Sequence, residues 1–143
     1  MVKKLSFVLL FIFLMYSTSY QMEFRSSNSR VINAHKRSVT SVQFSPNGKY
    51  LLSTSMDRKV KLWNTANGRL VKRFNYHYDW VNCSAFSPNG KYFATAGHDR
   101  YVYIVNTRKL RLINKIRVQS SRINKIVFSK DSKRIYSLSY SSR

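Results

Sequence analysis

A chain of 143 residues is long enough for one domain with a hydrophobic core and too short for two of ordinary size. Hydrophobic residues make up 43% of the chain, which excludes a disordered polymer although 26 Lys and Arg against 5 Asp and Glu give a formal net charge of +21. The single cysteine, Cys83, excludes an intrachain disulfide and a zinc site built on paired cysteines.

The first segment has the layout of a secretory signal peptide. Lys3 and Lys4 precede an apolar run over residues 5–16, and the small residues Ser17 and Ser19 follow it. The run is shorter than the roughly 20 residues that a bilayer-crossing helix needs, so we expect no transmembrane anchor. We assign residues 1–19 to a candidate signal peptide or apolar leader, with an apolar strand as the alternative, and the polar, Ser-rich residues 20–30 to a linker.

The heptapeptide FSPNGKY occurs twice, at residues 44–50 and 86–92, so that its two copies are 42 residues apart. Other positions repeat with the same spacing, as His35 and His77 do, and a third, weaker copy places Phe128 one spacing after Phe86. The sequence therefore contains three copies of one structural unit, of which the third is incomplete.

Within one copy, short runs typical of β-strands alternate with turn residues. In PNGK, Pro46 fixes one backbone angle and Gly48 favours positive φ, as a hairpin turn requires. In KVKLW, charged and apolar residues alternate with the strand period of two. The pattern predicts four antiparallel strands per copy, and we expect the repeated Phe44 and Phe86 to point inward.

A four-stranded sheet of this size cannot bury both of its faces alone, so the copies must stack face to face. We therefore predict an all-β fold, a partial β-propeller of about two and a half four-stranded antiparallel blades over residues 31–143. The expected blades are residues 35–76, 77–118 and 119–143, and residues 30–33 are expected to form the last strand of a preceding blade.

The repeated unit, with His35 followed by LLSTSMDRKVKLWN, resembles the WD-repeat β-propeller family over about residues 30–143. The resemblance implies that each blade is held by a hydrogen-bonded set of four residues: a His before the first strand, a Ser or Thr in the second, an Asp in the next turn and a Trp in the third. Transferred by position, these structural sets are His35, Ser53, Asp57 and Trp63 in blade one, and His77, Thr95 and Asp99 in blade two.

The later copies depart from the family pattern. In blade two, Val105 stands where the Trp is expected and cannot donate a hydrogen bond, so we expect this blade to be held less firmly. In blade three, Gln119 replaces the His, Ser137 matches the Ser, and Ser141 replaces the Asp.

Ser53, His35 and Asp57 are also the residue types of a hydrolase triad. The same set recurs one spacing later with Thr95 in place of Ser53, and the chain has no strained G-x-S-x-G motif to expose a nucleophile. We expect no catalytic residues and no enzymatic activity. We also expect no metal site, no cofactor and no small-molecule substrate, since the chain has neither suitably spaced ligands nor a glycine-rich phosphate loop.

Three residues are candidates for a binding rim, where the loops of neighbouring blades converge: Met56, Trp80 and His98. A half-exposed Trp80 is a suitable binding anchor, and packing against the next blade is the competing interpretation. The basic string over residues 107–118 alternates Arg and Lys with Leu and Ile. It predicts either an outer edge strand with solvated charges or a contact for a polyanion.

The resemblance implies a non-enzymatic scaffold that mediates protein–protein interaction within a larger assembly. The alternative is a basic propeller module that binds nucleic acid, RNA in particular, and acidic protein tails are further possible partners. Propellers close with about four to eight blades, so we expect a fragment of a longer propeller, a ring closed between chains or a small stack. Open blade edges favour self-association. The family implies a cytoplasmic location, and the leader implies the secretory pathway as the alternative.

Overall fold

A computed structural model describes residues 21–24, 30–118 and 122–139, and these residues form twelve β-strands. In chain order the strands are β1 (Gln21–Phe24), β2 (Arg30–Asn33), β3 (Val39–Phe44), β4 (Tyr50–Ser55), β5 (Val60–Asn64), β6 (Leu70–Phe74), β7 (Val81–Phe86), β8 (Tyr92–Gly97), β9 (Tyr101–Asn106), β10 (Arg111–Arg117), β11 (Ile123–Phe128) and β12 (Ile135–Ser139). The candidate leader, Gln119 and Ser141 lie outside the described residues. In the part of the chain that the structure covers, no helix has the length and apolar character to cross a membrane.

The strands form antiparallel sheets in which sequence neighbours pair. Blade one is the four-stranded sheet β3-β4-β5-β6, and blade two is the four-stranded sheet β7-β8-β9-β10. Strands β11 and β12 form the described part of blade three, and β1 pairs with β2 in a separate two-stranded sheet. The prediction of an all-β fold with four antiparallel strands per copy is confirmed.

The repeated heptapeptide forms the hairpin between the first two strands of each blade. Gly48 and Gly90 adopt φ values of 70° and 68°, a backbone conformation that costs glycine little. The Ser45 hydroxyl donates to Asn47 Oδ1 at 2.8 Å and accepts from the Tyr50 N–H at 2.9 Å. The Ser, the Asn and the Gly of the heptapeptide thus each have a local role in the turn, which accounts for their recurrence at the same positions.

The two complete blades pack face to face around a shared hydrophobic core. Phe74 of blade one meets Phe93 of blade two edge to face, with ring centroids 5.4 Å apart. The buried side chains of this interface are Leu52, Val60, Leu62 and Phe74 from blade one and Val81, Phe93 and Val105 from blade two. Neither sheet could bury these residues alone, as the repeat pattern predicted.

The innermost strands β3, β7 and β11 lie side by side and exchange polar contacts. The Thr40 hydroxyl donates to the Val81 carbonyl at 2.5 Å, and the Asn82 side-chain amide donates to the Ile123 carbonyl at 2.9 Å. Beneath these contacts, Ile123 and Ile126 of blade three pack against the buried face of blade two. The described part of blade three therefore stacks on blade two as blade two stacks on blade one.

Two local expectations differ from the structure. Residues 21–24, assigned to the linker, form strand β1, and the signal was the alternation of polar and apolar letters in QMEF. Phe44 was expected to point inward but is 48% exposed, whereas its counterpart Phe86 packs against the core between blades one and two. On the face of blade one that carries Phe44, Leu51 and Trp63 cluster with Ile32 of the short β1-β2 sheet, whereas the face of blade two that carries Phe86 packs against a complete blade.

Candidate interaction surface

In each blade, the loop before the first strand and the turn after the second strand lie on the same side, which we call the loop face. In blade one, four side chains form a continuous chain of hydrogen bonds beneath this face. His35 Nδ1 lies 3.0 Å from Asp57 Oδ2, His35 Nε2 lies 2.8 Å from Ser53 Oγ, and Trp63 Nε1 lies 2.9 Å from the same Oγ. The donors follow from chemistry, because a carboxylate only accepts and an indole N–H only donates. With a neutral imidazole, Trp63 donates to Ser53, Ser53 donates to His35 Nε2, and His35 Nδ1–H donates to Asp57.

The surroundings favour the neutral form of His35 and the charged form of Asp57. Burial lowers the pKa of His35 below its ordinary value of 6.5, although the Asp57 carboxylate opposes this effect. Burial would raise the pKa of Asp57, but the backbone N–H of Lys36, the nearby His35 and the N–H of Lys59 together lower it. Asp57 therefore remains a carboxylate that ties the loop before β3 to the turn after β4.

Blade two has the same arrangement without the indole donor. His77 Nδ1 lies 2.8 Å from Asp99 Oδ2, and His77 Nε2 lies 2.8 Å from Thr95 Oγ1. Val105, at the position of Trp63, is buried in the hydrophobic core between the blades. The ring of Tyr103 packs against the His77 ring, with centroids 4.3 Å apart, and so adds a contact that the sequence did not predict.

The geometry of the blade-one set accounts for its resemblance to a hydrolase triad and argues against that role. Ser53 is fully buried, and its Oγ contacts both His35 and Trp63. A nucleophile needs room for a substrate carbonyl beside its oxygen, and here both neighbouring positions are filled by side chains. Among the described residues, no group of three or more His, Cys, Asp or Glu side chains could hold a metal ion.

Cys83 is also buried. It is buried on β7 in the core that blade two shares with blade three. Burial raises the pKa of its thiol to about 12, so that the thiol stays protonated near neutral pH. Its role in this structure is to fill space between sheets.

Trp80 and His98 lie at the loop face of blade two, near His77 and Asp99, and contact each other through their rings and their backbones. Their ring centroids lie 4.9 Å apart, and the His98 N–H donates to the Trp80 carbonyl at 2.8 Å. The backbone at Trp80 packs directly against Gly97, where only a glycine fits, because an added Cβ atom would lie 1.9 Å from the Trp80 carbonyl oxygen. Trp80 itself is 37% exposed, so its ring is both held in place and open to a partner.

The structure brings two of the three predicted rim residues together. Met56 occupies the place in blade one that His98 occupies in blade two, and its N–H donates to the Ser38 carbonyl at 3.1 Å. It lies in the neighbouring blade and is not part of the Trp80–His98 pair. That these three residues bind a partner stays a prediction.

Sequence reasoning missed a second aromatic group beside this pair. Tyr78 is 59% exposed, and its hydroxyl donates to the Asp99 carbonyl at 2.9 Å. The Lys115 ammonium lies 4.0 Å from the Tyr101 ring centroid and 5.9 Å from that of Tyr78, a cation–π arrangement. The available signal was the alternation of Tyr and Phe in FNYHY, which places Tyr76 and Tyr78 on one side of an extended chain.

Comparison with known proteins gives the family. The family model described as "WD domain, G-beta repeat", or WD40, matches residues 26–64 and 68–106, which together are more than half of the chain. The chain is 41% identical over 46 residues to the Notchless protein homolog of Arabidopsis thaliana, covering 32% of this chain and 10% of that protein. It is 36% identical over 52 residues to nuclear distribution protein PAC1 of Candida tropicalis, covering 36% of this chain and 11% of that protein.

A solved structure shows the same fold. The structure of U3-55K superposes with a TM-score of 0.72 and 21% sequence identity, covering 76% of this chain and 35% of that chain. The chain thus spans about a tenth of the curated relatives and about a third of the solved structure. Because the two family-model matches cover more than half of the chain, and the stacked sheets have the fold of the solved structure, the chain belongs to the WD40 repeat family of β-propellers.

Proposed function

We propose that the protein is a scaffold that binds protein partners within a larger assembly, and that the Trp80–His98 pair anchors one of them. WD40 propellers generally act as non-enzymatic interaction scaffolds. The observation that carries the proposal is an exposed indole held by a ring contact, a backbone hydrogen bond and the close approach of Gly97.

The physical argument concerns the cost of binding. Trp and Tyr are enriched among the residues that dominate interface energies, because each offers a large contact area with few rotatable bonds. A side chain that is already ordered loses little conformational entropy when a partner covers it. Trp80 meets both conditions, and Tyr78, two residues away in the chain, is a second exposed aromatic residue.

The test compares Trp80→Ala with Tyr136→Ala in quantitative affinity capture of proteins by the whole chain. Tyr136 is a matched control because it is an aromatic residue of β12 that is 53% exposed. We expect Trp80→Ala to lose a defined set of partners that the wild type and Tyr136→Ala both retain, while all three chains unfold at similar temperatures. Equal capture by the two variants would contradict the proposal.

A second candidate function is the binding of nucleic acid. The observation that favours it is the large excess of cations, 26 Lys and Arg against 5 Asp and Glu. The ion pairs among the described residues join Asp57 to His35 and Asp99 to His77, so none of them involves a lysine or an arginine. The cations on the outer strands therefore add to one positive field.

A salt titration separates the two candidates. If the chain binds single-stranded RNA through phosphate contacts, the logarithm of its affinity falls steeply and linearly with the logarithm of salt concentration. A complex with a protein partner at Trp80 depends mainly on buried apolar surface and is much less sensitive to salt. A steep slope that persists in Trp80→Ala would favour RNA as the partner.

A further inference from the structure

Among the described residues, the outer strand of blade two, β10, is the open edge of its sheet. It pairs with β9 on one side and ends the strand order. On this ladder the Val118 N–H donates to the Arg100 carbonyl at 2.9 Å. Because the backbone groups of an antiparallel strand alternate between its two sides, those of Lys115 and Arg117 point away from β9.

A side-chain contact supports this orientation independently. The Lys115 N–H donates to the Asn114 side-chain oxygen at 2.8 Å, so this N–H is satisfied locally and not by β9. The β-bulge between Leu112 and Asn114 interrupts the ladder just before this point. The regular open edge therefore runs over residues 114–117, with one of its N–H groups covered by a neighbouring polar side chain.

The side chains along this edge are cationic. Arg111, Lys115 and Arg117 are exposed, and residues 100–118 contain no Asp or Glu. Ile113, at the bulge, is 52% exposed and adds an apolar contact beside the charges. An edge with this composition repels a second basic strand and attracts an acidic one.

The equivalent outer strand of blade one, β6, is less cationic. Its exposed residues are Leu70, Val71 and Arg73, and the ammonium of its half-buried Lys72 donates to the Leu110 carbonyl of blade two at 2.9 Å. On β10, Arg111, Lys115 and Arg117 are all exposed, so β10 presents more cations along its edge.

We propose that the β10 edge binds an acidic, extended peptide segment of a partner protein as an added fifth strand of blade two. The backbone of the peptide would pair with Lys115 and Arg117, its carboxylates would contact the Arg111 and Arg117 side chains, and an apolar residue would cover Ile113. A row of backbone donors and acceptors matches a peptide. Single-stranded RNA is the less suitable occupant of the edge, because the outward backbone groups of β10 can pair with another strand and β10 itself has no aromatic residue on which bases could stack.

The first test asks whether backbone pairing contributes to binding. The probe is a fluorescent heptapeptide that alternates Glu and Val, and its affinity for the whole chain is measured by fluorescence anisotropy. Two matched probes carry N-methyl groups, one on the valines and one on the glutamates, and all three have the same charge. A strand pairs along one edge, so we expect one methylated probe to lose at least about tenfold in affinity and the other to bind more nearly as the parent does.

The second test places the site on β10. We expect Arg111→Glu/Arg117→Glu to weaken binding of the parent peptide at least about tenfold. Lys91→Glu/Lys133→Glu is the matched control, since it makes the same charge change at exposed hairpin residues, and we expect it to stay within about threefold. Asn114→Ala uncovers the Lys115 N–H and is expected to strengthen binding, which a purely electrostatic contact would not show.

The outcomes that overturn the proposal are specific. Equal binding of all three peptides would show that charge alone attracts the probe, and equal weakening by the two double variants would show that no particular edge is used. Binding of a uridine octanucleotide that is tighter than peptide binding and is lost in Arg111→Glu/Arg117→Glu would assign β10 to nucleic acid. None of these results depends on Trp80, so the scaffold proposal stands or fails separately.

Discussion

The indole N–H of Trp63 donates a hydrogen bond to the Ser53 hydroxyl at 2.9 Å, and this bond joins the third strand of blade one to the second. In blade two the matching position is Val105, and Thr95 therefore contacts His77 without an indole donor. The two blades share the His–Ser/Thr–Asp arrangement, and the indole hydrogen bond is present in blade one and absent from blade two.

We predict that Trp63→Phe destabilises the chain by about 1–3 kcal/mol, because the buried Ser53 oxygen then no longer accepts a hydrogen bond from the indole N–H. The measurement is urea unfolding of the wild type, Trp63→Phe, Ser53→Ala and the double variant. The two single effects should not add, since both remove the same hydrogen bond. Additive effects, or a loss below about 0.5 kcal/mol for Trp63→Phe, would show that this bond contributes little.

The sequence predicted much of this fold because the signals are local. The hairpins at Gly48 and Gly90, the period-two strands and the stacking of blades all follow from residues close together in the chain. The contacts of Tyr103 with His77 and of Lys115 with Tyr101 could not be predicted in the same way. They join residues more than 10 positions apart in the chain, and the second also depends on the register shift in β10, which a repeat pattern does not predict.

Gly97 gives a prediction about the support of the candidate rim. We expect Gly97→Ala to destabilise the chain by about 3 kcal/mol or more, because its added Cβ would overlap the Trp80 carbonyl and the main chain at Val81. Gly48→Ala is the control: its Cβ would meet nothing within 4 Å, and the cost is only that of a φ of +70°, about 1 kcal/mol. Thermal unfolding of both variants measures the difference. Similar losses would mean that the close approach at Trp80 is not tight.

The stability of blade one should fall in mild acid. The pKa of His35 is lowered in the folded chain by burial, so the unfolded chain binds the proton more readily. The contribution of neutral His35 is thus complete above 6.5 and is lost as pH falls from 6.5 through the lowered folded pKa. The lowered pKa of Asp57 acts in the same direction at more acidic pH, because protonation removes an acceptor of the Lys36 and Lys59 N–H groups.

The measurement is urea unfolding of the wild type and His35→Gln at several pH values between 5 and 7.5. A glutamine side chain does not titrate, so we expect the variant to be less stable near neutral pH but to lose less stability on acidification. Parallel pH profiles for the two chains would contradict the assignment of the titration to His35.

A comparison of Asp57 with the exposed Asp131 tests which of the two carboxylates stabilises a blade. Asp57→Asn should cost about 1–3 kcal/mol, because Asp57 accepts from a buried imidazole and two backbone N–H groups. Asp131→Asn should cost clearly less than Asp57→Asn, because Asp131 is exposed and the amide oxygen can still accept from Lys133. Denaturant midpoints of the two variants test this order, and a larger effect at Asp131 would reverse our view of which carboxylate holds a blade.

Site-specific photo-crosslinking tests most directly whether the chain works by presenting its loop face to protein partners. A benzophenone side chain is placed at Trp80, or at the exposed hairpin residue Lys91, and the cells that contain each chain are irradiated. The account predicts covalent protein adducts from position 80 and few or none from position 91. Adducts of equal yield from both positions, or adducts at position 80 that ribonuclease removes, would contradict it.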